Sequence, residues 1–511
     1  MIFSENNKKF DVKVTSLQEK QSIKNNQFNK EDWSSAYQNV ELELENKNLE
    51  VTQGNSIKEL NGTLFKNGPG ILERDGQWLH HPFDGDGMIS AINFKDGKAT
   101  FTNKFVKTKG YLEEKKKNKF LYRGVFGTQK KGGILNNVLD LNFKNIANTH
   151  VIKLGDELLA LWEAAGPHAL DPKNLETIGL TTLKGVLKKN EAFSAHPKID
   201  LNSKYSKEVL VTFGVQTGPQ STIRLMEFSN KGNKAGEILF DRKDKLNGFA
   251  FLHDFAITTN WAIFLQNAID FNPLPFVMGQ KGAAQCLKSS PNKKAKFFIV
   301  PRDSGLYRGK PPVIIDAPEG FVFHHVNAYE DEENIVLDSI FYDDFPSVGP
   351  DEDFRDIDFE KYPAGKLKRS IINLKSHYSE LSTISEQTCE FAVINPKFTG
   401  IKATHSWMAC TNAKSGNAPL QAIKKINLDT KEEIFWSAAP RGFVSEPIMV
   451  PKTNSKKEDE GYLLILVWNG ARRGSDLIIL DSKNLEHLST YELPINIPHG
   501  LHGSWSNNEE D

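Results

Sequence analysis

Four histidine contexts stand out in this 511-residue sequence: His196 in Ser-Ala-His-Pro, His253 in Phe-Leu-His-Asp-Phe, the pair His324-His325 in Phe-Val-Phe-His-His-Val-Asn-Ala, and His502 in Pro-His-Gly-Leu-His-Gly-Ser-Trp. Neutral imidazole offers a lone pair to a metal, or a base near pH 7. The steps from 196 to 253, 253 to 324 and 324 to 502 are 57, 71 and 178 residues, and they match no local metal motif. Taken singly, each ring reads more readily as structural than as a ligand. Taken together, they suit a fold that brings one residue per repeat to a common axis. Glu163, Glu390 and Glu446 each stand inside or beside an apolar run. A buried carboxylate needs a partner, and a metal-bound imidazole needs an acceptor for its second nitrogen. The alternative for each is a carboxylate capping a turn at a strand end. Asp84 and Asp86, in Phe-Asp-Gly-Asp-Gly, resemble a fragment of a calcium loop but fall short of one and read as a tight glycine turn. No dinucleotide fingerprint, phosphate loop or nucleophile elbow is present.

The elements that must position these residues are short strands. Val209–Val215, Lys296–Val300, Asn334–Phe341, Tyr462–Trp468 and Asp476–Leu480 are apolar runs bounded by Gly, Pro, Asn or Asp. Helical periodicity is scarce. Leu170–Glu176 (LDPKNLE) and Leu480–Glu486 (LDSKNLE) are near copies, and Leu428–Ile434 (LDTKEEI) is a looser one. Each predicts a tight hairpin, and recurrence of one hairpin type along a long chain favours an all-β propeller. Two segments depart from that scaffold: 181–189, apolar and basic, and 270–288, broken by prolines. Residues 1–30 are Asn/Lys/Gln-rich and predict an unstructured or extended segment ahead of one catalytic domain over 31–511.

Composition removes other classes. Lys and Arg number 64 against 65 Asp and Glu, a formal net charge of −1, which argues against a nucleic-acid protein driven by bulk positive charge. Three scattered cysteines form no CxxC pair and fit a reducing compartment. No apolar run is long enough to span a bilayer, and no secretory signal is evident, so the expected location is cytoplasmic.

The histidine contexts, together with NGTLFKNGPG at 61–70, HPFDGDGM at 81–88, YRGVFG at 122–127, NIANT at 145–149, GFAFLHDFAIT at 248–258, SEPI around Glu446 and the terminal LHGSW, resemble the carotenoid cleavage dioxygenase family. The resemblance runs from about residue 31 to 505. It implies a seven-bladed β-propeller with a helical and loop cap over the face bearing an Fe(II) site. The implied ligands are His196, His253, His324 and His502, with His325 left structural. Glu163, Glu390 and Glu446 would each hold one ligand ring. Trp162 and Phe126 would line a substrate tunnel, and Thr149 would stand near an open metal position. His499 departs from the family pattern and puts another imidazole near the site.

The implied reaction is Fe(II)- and O2-dependent cleavage of the central 15,15′ double bond of apocarotenals or apocarotenols to give retinal. Alternatives are cleavage of another polyene or stilbene bond, a retinoid isomerohydrolase on the same scaffold, and a non-catalytic carotenoid carrier. Substrates of this kind reside in lipid. Leu274, Phe276, Val277 and Met278, with Leu183, Val186 and Leu187 and nearby lysines, have the composition of a segment resting among headgroups. A peripheral membrane protein whose tunnel opens between the two segments is expected.

Overall fold

The computed structural model describes residues 13–15, 26–189, 191–204, 206–303, 306–347 and 352–508. Among the described residues, its strands form seven antiparallel sheets of four or more strands, arranged radially as blades, and two small two-stranded ones. Blade 1 is built on Gly62–Ile71, Asp86–Lys95 and Lys98–Phe105; blade 2 on His150–Leu154, Glu157–Leu161, His168–Leu170 and Thr177–Leu180. Blade 3 holds Lys198–Asp200, Val209–Gln216, Gln220–Ser229 and Ile238–Asn247; blade 4 holds Ala256–Ile257, Trp261–Gln266, Lys296–Pro301 and Val313–Asp316. Blade 5 holds Phe321–Asp331, Asn334–Tyr342, Lys366–Asn373 and Tyr378–Ser385; blade 6 holds Cys389–Val393, His405–Cys410, Ala422–Asn427 and Glu433–Ser437. Blade 7 holds Gly442–Val444 and Ile448–Pro451, which share one neighbour, then Gly461–Asn469, Gly474–Asp481 and His487–Glu492.

Strands inside a blade are covered on both faces by neighbouring blades, so they read as unbroken apolar runs; Gly461–Asn469 is buried throughout. The outermost strand of blade 3, Ile238–Asn247, instead alternates between more and less exposed positions over much of its length. The ring closes twice. Gly503–Asn507, from the C-terminus, becomes the innermost strand of blade 1, with Trp505 opposite Leu64. Lys47–Leu49 edges blade 1 and Val51–Gly54 edges blade 7, so one short stretch of chain stitches the two together. The expectation of an unstructured or extended segment over 1–30 falls largely outside the described residues; Lys13–Thr15 adds an edge strand to blade 6.

The hairpin repeat is real, and its third copy is displaced. Each copy joins the last two strands of a blade. In the first, the Asp171 carboxylate accepts from Lys173 N, the Asp171 carbonyl accepts from Leu175 N, and Leu175 sits at φ 62°. Asp481 and Leu485 repeat this arrangement. In blade 6 the equivalent pair is Asn427 and Lys431, two residues earlier than the Leu-Asp match suggests, with Asn427 serving as the acceptor. Blade 5 carries a fourth copy, Asn373 with His377 at φ 55°, which sequence similarity did not disclose. Side-chain amide and carboxylate are interchangeable acceptors here, so the turn persists where the residue does not.

Blades 3 and 4 are locked by a fully buried arginine. Arg302 donates to Glu227 Oε1 at 2.9 Å, Asp200 Oδ2 at 2.8 Å and the Thr258 carbonyl at 2.6 Å. Removing the cation strands two carboxylates in a low-dielectric interior, where breaking a buried pair costs about 3–5 kcal/mol. Arg302→Met should therefore lower unfolding stability by that order in denaturant titration, whereas Lys30→Met, at the exposed pair with Asp356, should change it by less than about 1 kcal/mol.

Candidate metal centre

Each blade delivers one residue to the site. His502 immediately precedes the innermost strand of blade 1, His196 lies two residues before that of blade 3, and His253 lies three before that of blade 4. His324 lies within the innermost strand of blade 5, at a bulge where pairing skips from Val322 to His325. The bulge separates the two adjacent imidazoles. His325 is buried and bonds Ser339 Oγ through Nδ1 at 2.7 Å, with its backbone N–H on Asp254 Oδ2 at 2.8 Å. His324 faces the other three rings, with centroids 5.1, 5.1 and 5.0 Å from those of His196, His253 and His502. One donor atom from each of the four histidines lies within 4.8 Å of the others.

Blades 2, 6 and 7 supply the carboxylates. Glu163 Oε2 meets His253 Nδ1 at 2.5 Å, Glu390 Oε2 meets His324 Nδ1 at 2.6 Å, and Glu446 Oε1 meets His502 Nδ1 at 2.8 Å. Each carboxylate accepts the Nδ1 proton, which leaves Nε2 with its lone pair directed inward. The carboxylates are themselves held. Glu390 accepts from Tyr342 OH at 2.8 Å and from Phe391 N at 2.7 Å, with Phe391 at φ 56° beside a bulge. Glu446 accepts from Gly503 N at 2.8 Å and Lys66 Nζ at 3.0 Å. His196 has no carboxylate partner among the described residues. Its backbone N–H is held by Ser194 Oγ at 2.9 Å, and His150 bridges the neighbouring segments, with Nδ1 2.8 Å from the Ala195 carbonyl and Nε2 3.1 Å from that of Gly503.

These residues fit a metal. His324 Nε2 is buried and has no hydrogen-bond partner among the described residues. His196 Nε2 and His253 Nε2 face each other at 2.9 Å, two lone-pair atoms that need a shared cation or proton between them. Metal–imidazole bonds of about 2.0–2.1 Å place two donors roughly 3–4 Å apart, close to the observed spread. Burial, reinforced by the other three rings, holds His196 far below its ordinary range; burial, opposed by Glu446, takes His502 down to about 4. Both rings are neutral, the form that ligates. Burial would also lower His324, but Glu390, Asp254 and Glu446 outweigh it and raise the ring. The local field therefore favours positive charge at the centre, which a cation would supply.

The remaining expectations divide. Thr149 is buried beside the site, its carbonyl accepting from His502 N at 3.0 Å. Trp162, next to Glu163, is buried and lines a small cavity with Leu79, Phe120 and Phe143. Phe126 stacks on His81 at 5.2 Å, in a loop held by Asp84, whose carboxylate accepts from Phe126 N and Thr128 N. Asp84 and Asp86 are thus internal anchors; Asp86 pairs with Lys144 and Arg74. His499 does not join the centre. It stacks on Trp33 at 4.6 Å and packs against Tyr37 and Phe443. The rings that do flank the ligands are Phe323, 5.5 Å from His253, and Phe391, 5.9 Å from His324 and 5.5 Å from His502. Sequence reasoning missed both, although each adjoins a residue it singled out.

The membrane expectation needs correcting at several residues. Phe276 is only 7% exposed, stacked on Phe143 at 5.4 Å under the Arg123 guanidinium, and Val277 is half-buried. Leu183 and Leu187 are buried between blades 2 and 3, where they pack with Ile152 and Phe228, and Val186 is half-buried. The 181–189 segment is therefore not an apolar surface. Leu274 and Met278 are exposed as expected, and their actual neighbour is 134–141: Leu139 N donates to the Val277 carbonyl at 2.8 Å, and Ile134, Leu135, Leu139 and Leu141 are exposed, Leu135 by 88%.

A seven-bladed propeller with this centre defines a class, and comparison with known proteins agrees. The model of the retinal pigment epithelial membrane protein family matches residues 37–507. The chain belongs to this family, that of the carotenoid cleavage oxygenases. It is 42% identical over 484 residues to apocarotenoid-15,15′-oxygenase of Synechocystis, covering 94% of this chain and 97% of that protein. It is 26% identical to carotenoid cleavage dioxygenase 7 of Arabidopsis thaliana, covering 87% and 85%. A cobalt-substituted Synechocystis apocarotenoid oxygenase superposes with a TM-score of 0.91 at 42% identity, covering 94% of this chain and all of that one. Solved variants of that neighbour alter a threonine, a tryptophan thirteen positions later and the glutamate after it; Thr149, Trp162 and Glu163 have the same types and spacing.

The bulge makes a sharp expectation. His324→Ala should lose metal binding, while His325→Ala should keep it, as read by metal analysis after incubation with a divalent cation; the reverse would mean the inward ring has been misassigned. Glu390→Gln should weaken metal binding about 10–100-fold with the fold intact by circular dichroism.

Proposed function

We propose that this chain is an Fe(II)-dependent oxygenase that cleaves the central 15,15′ double bond of apocarotenals or apocarotenols to give retinal, with O2 as co-substrate. The observation that carries the reading is the convergence of four imidazoles, three of them locked by carboxylates, in a chain 42% identical to an apocarotenoid-15,15′-oxygenase. That a cobalt-substituted form of the neighbour exists supports a metal in the corresponding place. His196, His253, His324 and His502 would hold Fe(II), with Glu163, Glu390 and Glu446 orienting three of them. Four protein ligands leave two positions of an octahedron open, unlike a closed tetrahedral zinc site. Bound there, Fe(II) supplies the one-electron chemistry that lets dioxygen react with a closed-shell polyene.

The chain's own residues bind, orient and keep water out. Phe323 and Phe391 flank the ligand rings, and Phe321, Phe345 and Phe251 continue the aromatic wall away from His253. Flat rings contact a conjugated chain along its length without demanding charge. Trp162, Phe126 and Thr149 are assigned to substrate placement on the same grounds. The bond that is cut is then set by how far the polyene advances past the centre.

Delivery of a water-insoluble substrate calls for a lipid contact. No helix among the described residues is long and apolar enough to cross a membrane. The exposed leucines and isoleucine of 134–141, with Leu274 and Met278, form an apolar patch rimmed by Lys130, Lys131 and Lys281, and we assign it to peripheral docking of a cytoplasmic protein.

Chromatography after incubation with apocarotenals of several chain lengths should give retinal as the common product; a common product of another length would move the cleavage site, and no oxygen-dependent product would point to a carrier. Trp162→Ala should raise KM or shift the cleaved bond while the melting temperature falls little. Burying two leucine side chains in lipid contributes about 3–5 kcal/mol. Leu135→Asp with Leu274→Asp should therefore abolish liposome co-sedimentation and leave turnover of detergent-dispersed substrate nearly unchanged; equal loss in both assays would sink the docking assignment.

A further inference from the structure

Lysine is among the residues least often fully buried, yet Lys66, in the Asn-Gly-Thr-Leu-Phe-Lys-Asn-Gly-Pro-Gly segment of blade 1, is 4% exposed. Its Nζ lies 3.0 Å from Glu446 Oε2, 3.3 Å from the Glu446 carbonyl and 3.3 Å from the Leu501 carbonyl. Three acceptors around one nitrogen match the three donors of an ammonium group. Burial lowers the Lys66 ammonium from its usual range, while Glu446 pushes back. Burial alone would raise Glu446, but Lys66 and His502 hold its carboxyl well below the usual carboxylate range. Three acceptors around Nζ, one of them a carboxylate oxygen, are the surroundings of an ammonium paired with a carboxylate.

The three carboxylates are not treated alike. Among the described residues neither Glu390, held by the neutral Tyr342 hydroxyl and the Phe391 N–H, nor Glu163 has a lysine or arginine partner. Of the three, Glu446 alone has a lysine or arginine partner among the described residues. The next ion pair outward cancels: Asp254 pairs with Lys198 at 2.8 Å. Imidazoles that ligate a metal are uncharged, so around the four of them three carboxylates and one ammonium remain. A dication closes that balance to zero, and a trication leaves an uncompensated charge in a buried site, which is costly.

We infer that Lys66 is the countercharge that makes this centre electroneutral with a divalent ion bound, and that it thereby biases bound iron toward the ferrous state. The inference rests on the proposal that the four histidines hold iron. It makes Lys66 a positioning and charge-setting residue that touches neither substrate nor metal. A purely mechanical role would have any loss of the Lys66–Glu446 contact loosen His502 in the same way. A charge role gives opposite signs for loss of the cation and loss of the anion.

The test is a mediator-coupled potentiometric titration of iron-loaded protein, in which Fe(II) releases one electron to the electrode, with iron content measured in parallel. Lys66→Met should lower the midpoint potential by at least about 59 mV, a tenfold rise in the ferric-to-ferrous ratio at fixed potential. Glu446→Gln should raise it by a similar amount. The double variant should return toward the parent value, and Lys66→Arg should stay there. Shifts of one sign in both single variants, or none in either, would overturn the inference. Should Lys66→Met fail to fold, Glu446→Gln with Lys66→Arg decides the matter: a rise in the first and none in the second supports it, and any other pattern refutes it. Failure of the parent protein to bind iron would refute the reading of the centre itself.

Discussion

An imidazole can hold a metal only if its ring is neutral and its lone pair is aimed, and both conditions are set by what grips the opposite nitrogen. In this protein that grip is a carboxylate for three of the four histidines, brought from blades 2, 6 and 7 to rings on blades 4, 5 and 1. A carboxylate taken out of water must in turn be satisfied, so each lock recruits further structure. Glu390 draws in Tyr342 and a left-handed Phe391; Glu446 draws in Lys66 and the backbone of Gly503. The chain of dependence thus runs from the centre outward, and much of the irregular geometry near the axis is explained by it. The bulge at His324 and the bulge after Glu390 exist where a regular strand would aim a side chain at the wrong face.

The propeller is what makes such an arrangement affordable in conformational terms. The blades converge on one axis, so seven residues far apart in sequence meet from strands or from the short segments flanking them. The ring must not open, because a gap between two blades would separate rings that have to stay within a few ångströms. Closure by the C-terminal strand serves the site directly: His502 immediately precedes Gly503–Asn507, so the strand that seals blade 1 also delivers a ligand. His150 and the Asp254–Lys198 pair continue the bracing around the inner rim, tying segments that carry different ligands.

Polarity is distributed to match. Aromatic rings border the ligands, and exposed apolar side chains lie on excursions from the sheets, at 134–141 and 274–278. Backbone that leaves the propeller is free to expose apolar side chains because its own polar groups are paired within the excursion, as by the Leu139-to-Val277 bond. The segment 181–189 has similar composition but fills the gap between blades 2 and 3 instead. Composition alone does not separate these two outcomes.

Much was legible in the residues themselves. Apolar runs bounded by turn formers marked strands that the fold contains, and the LDxKNLE repeat marked the hairpin that closes successive blades, since both are local properties of backbone and turn chemistry. The four histidines and three glutamates could be named because their flanking residues are distinctive. What sequence could not decide was anything set by distance through space. The choice between His324 and His325 depends on a bulge in strand pairing, the true start of the blade 6 hairpin on which side chain reaches the turn amides, and the fate of Phe276, Leu183 and His499 on which neighbours pack against them. The partnership of Lys66 with Glu446 joins residues 380 positions apart. Local propensity fixes which segments become strands, but an ion pair or a buried ring depends on which blades stand side by side, and only the closed ring determines that.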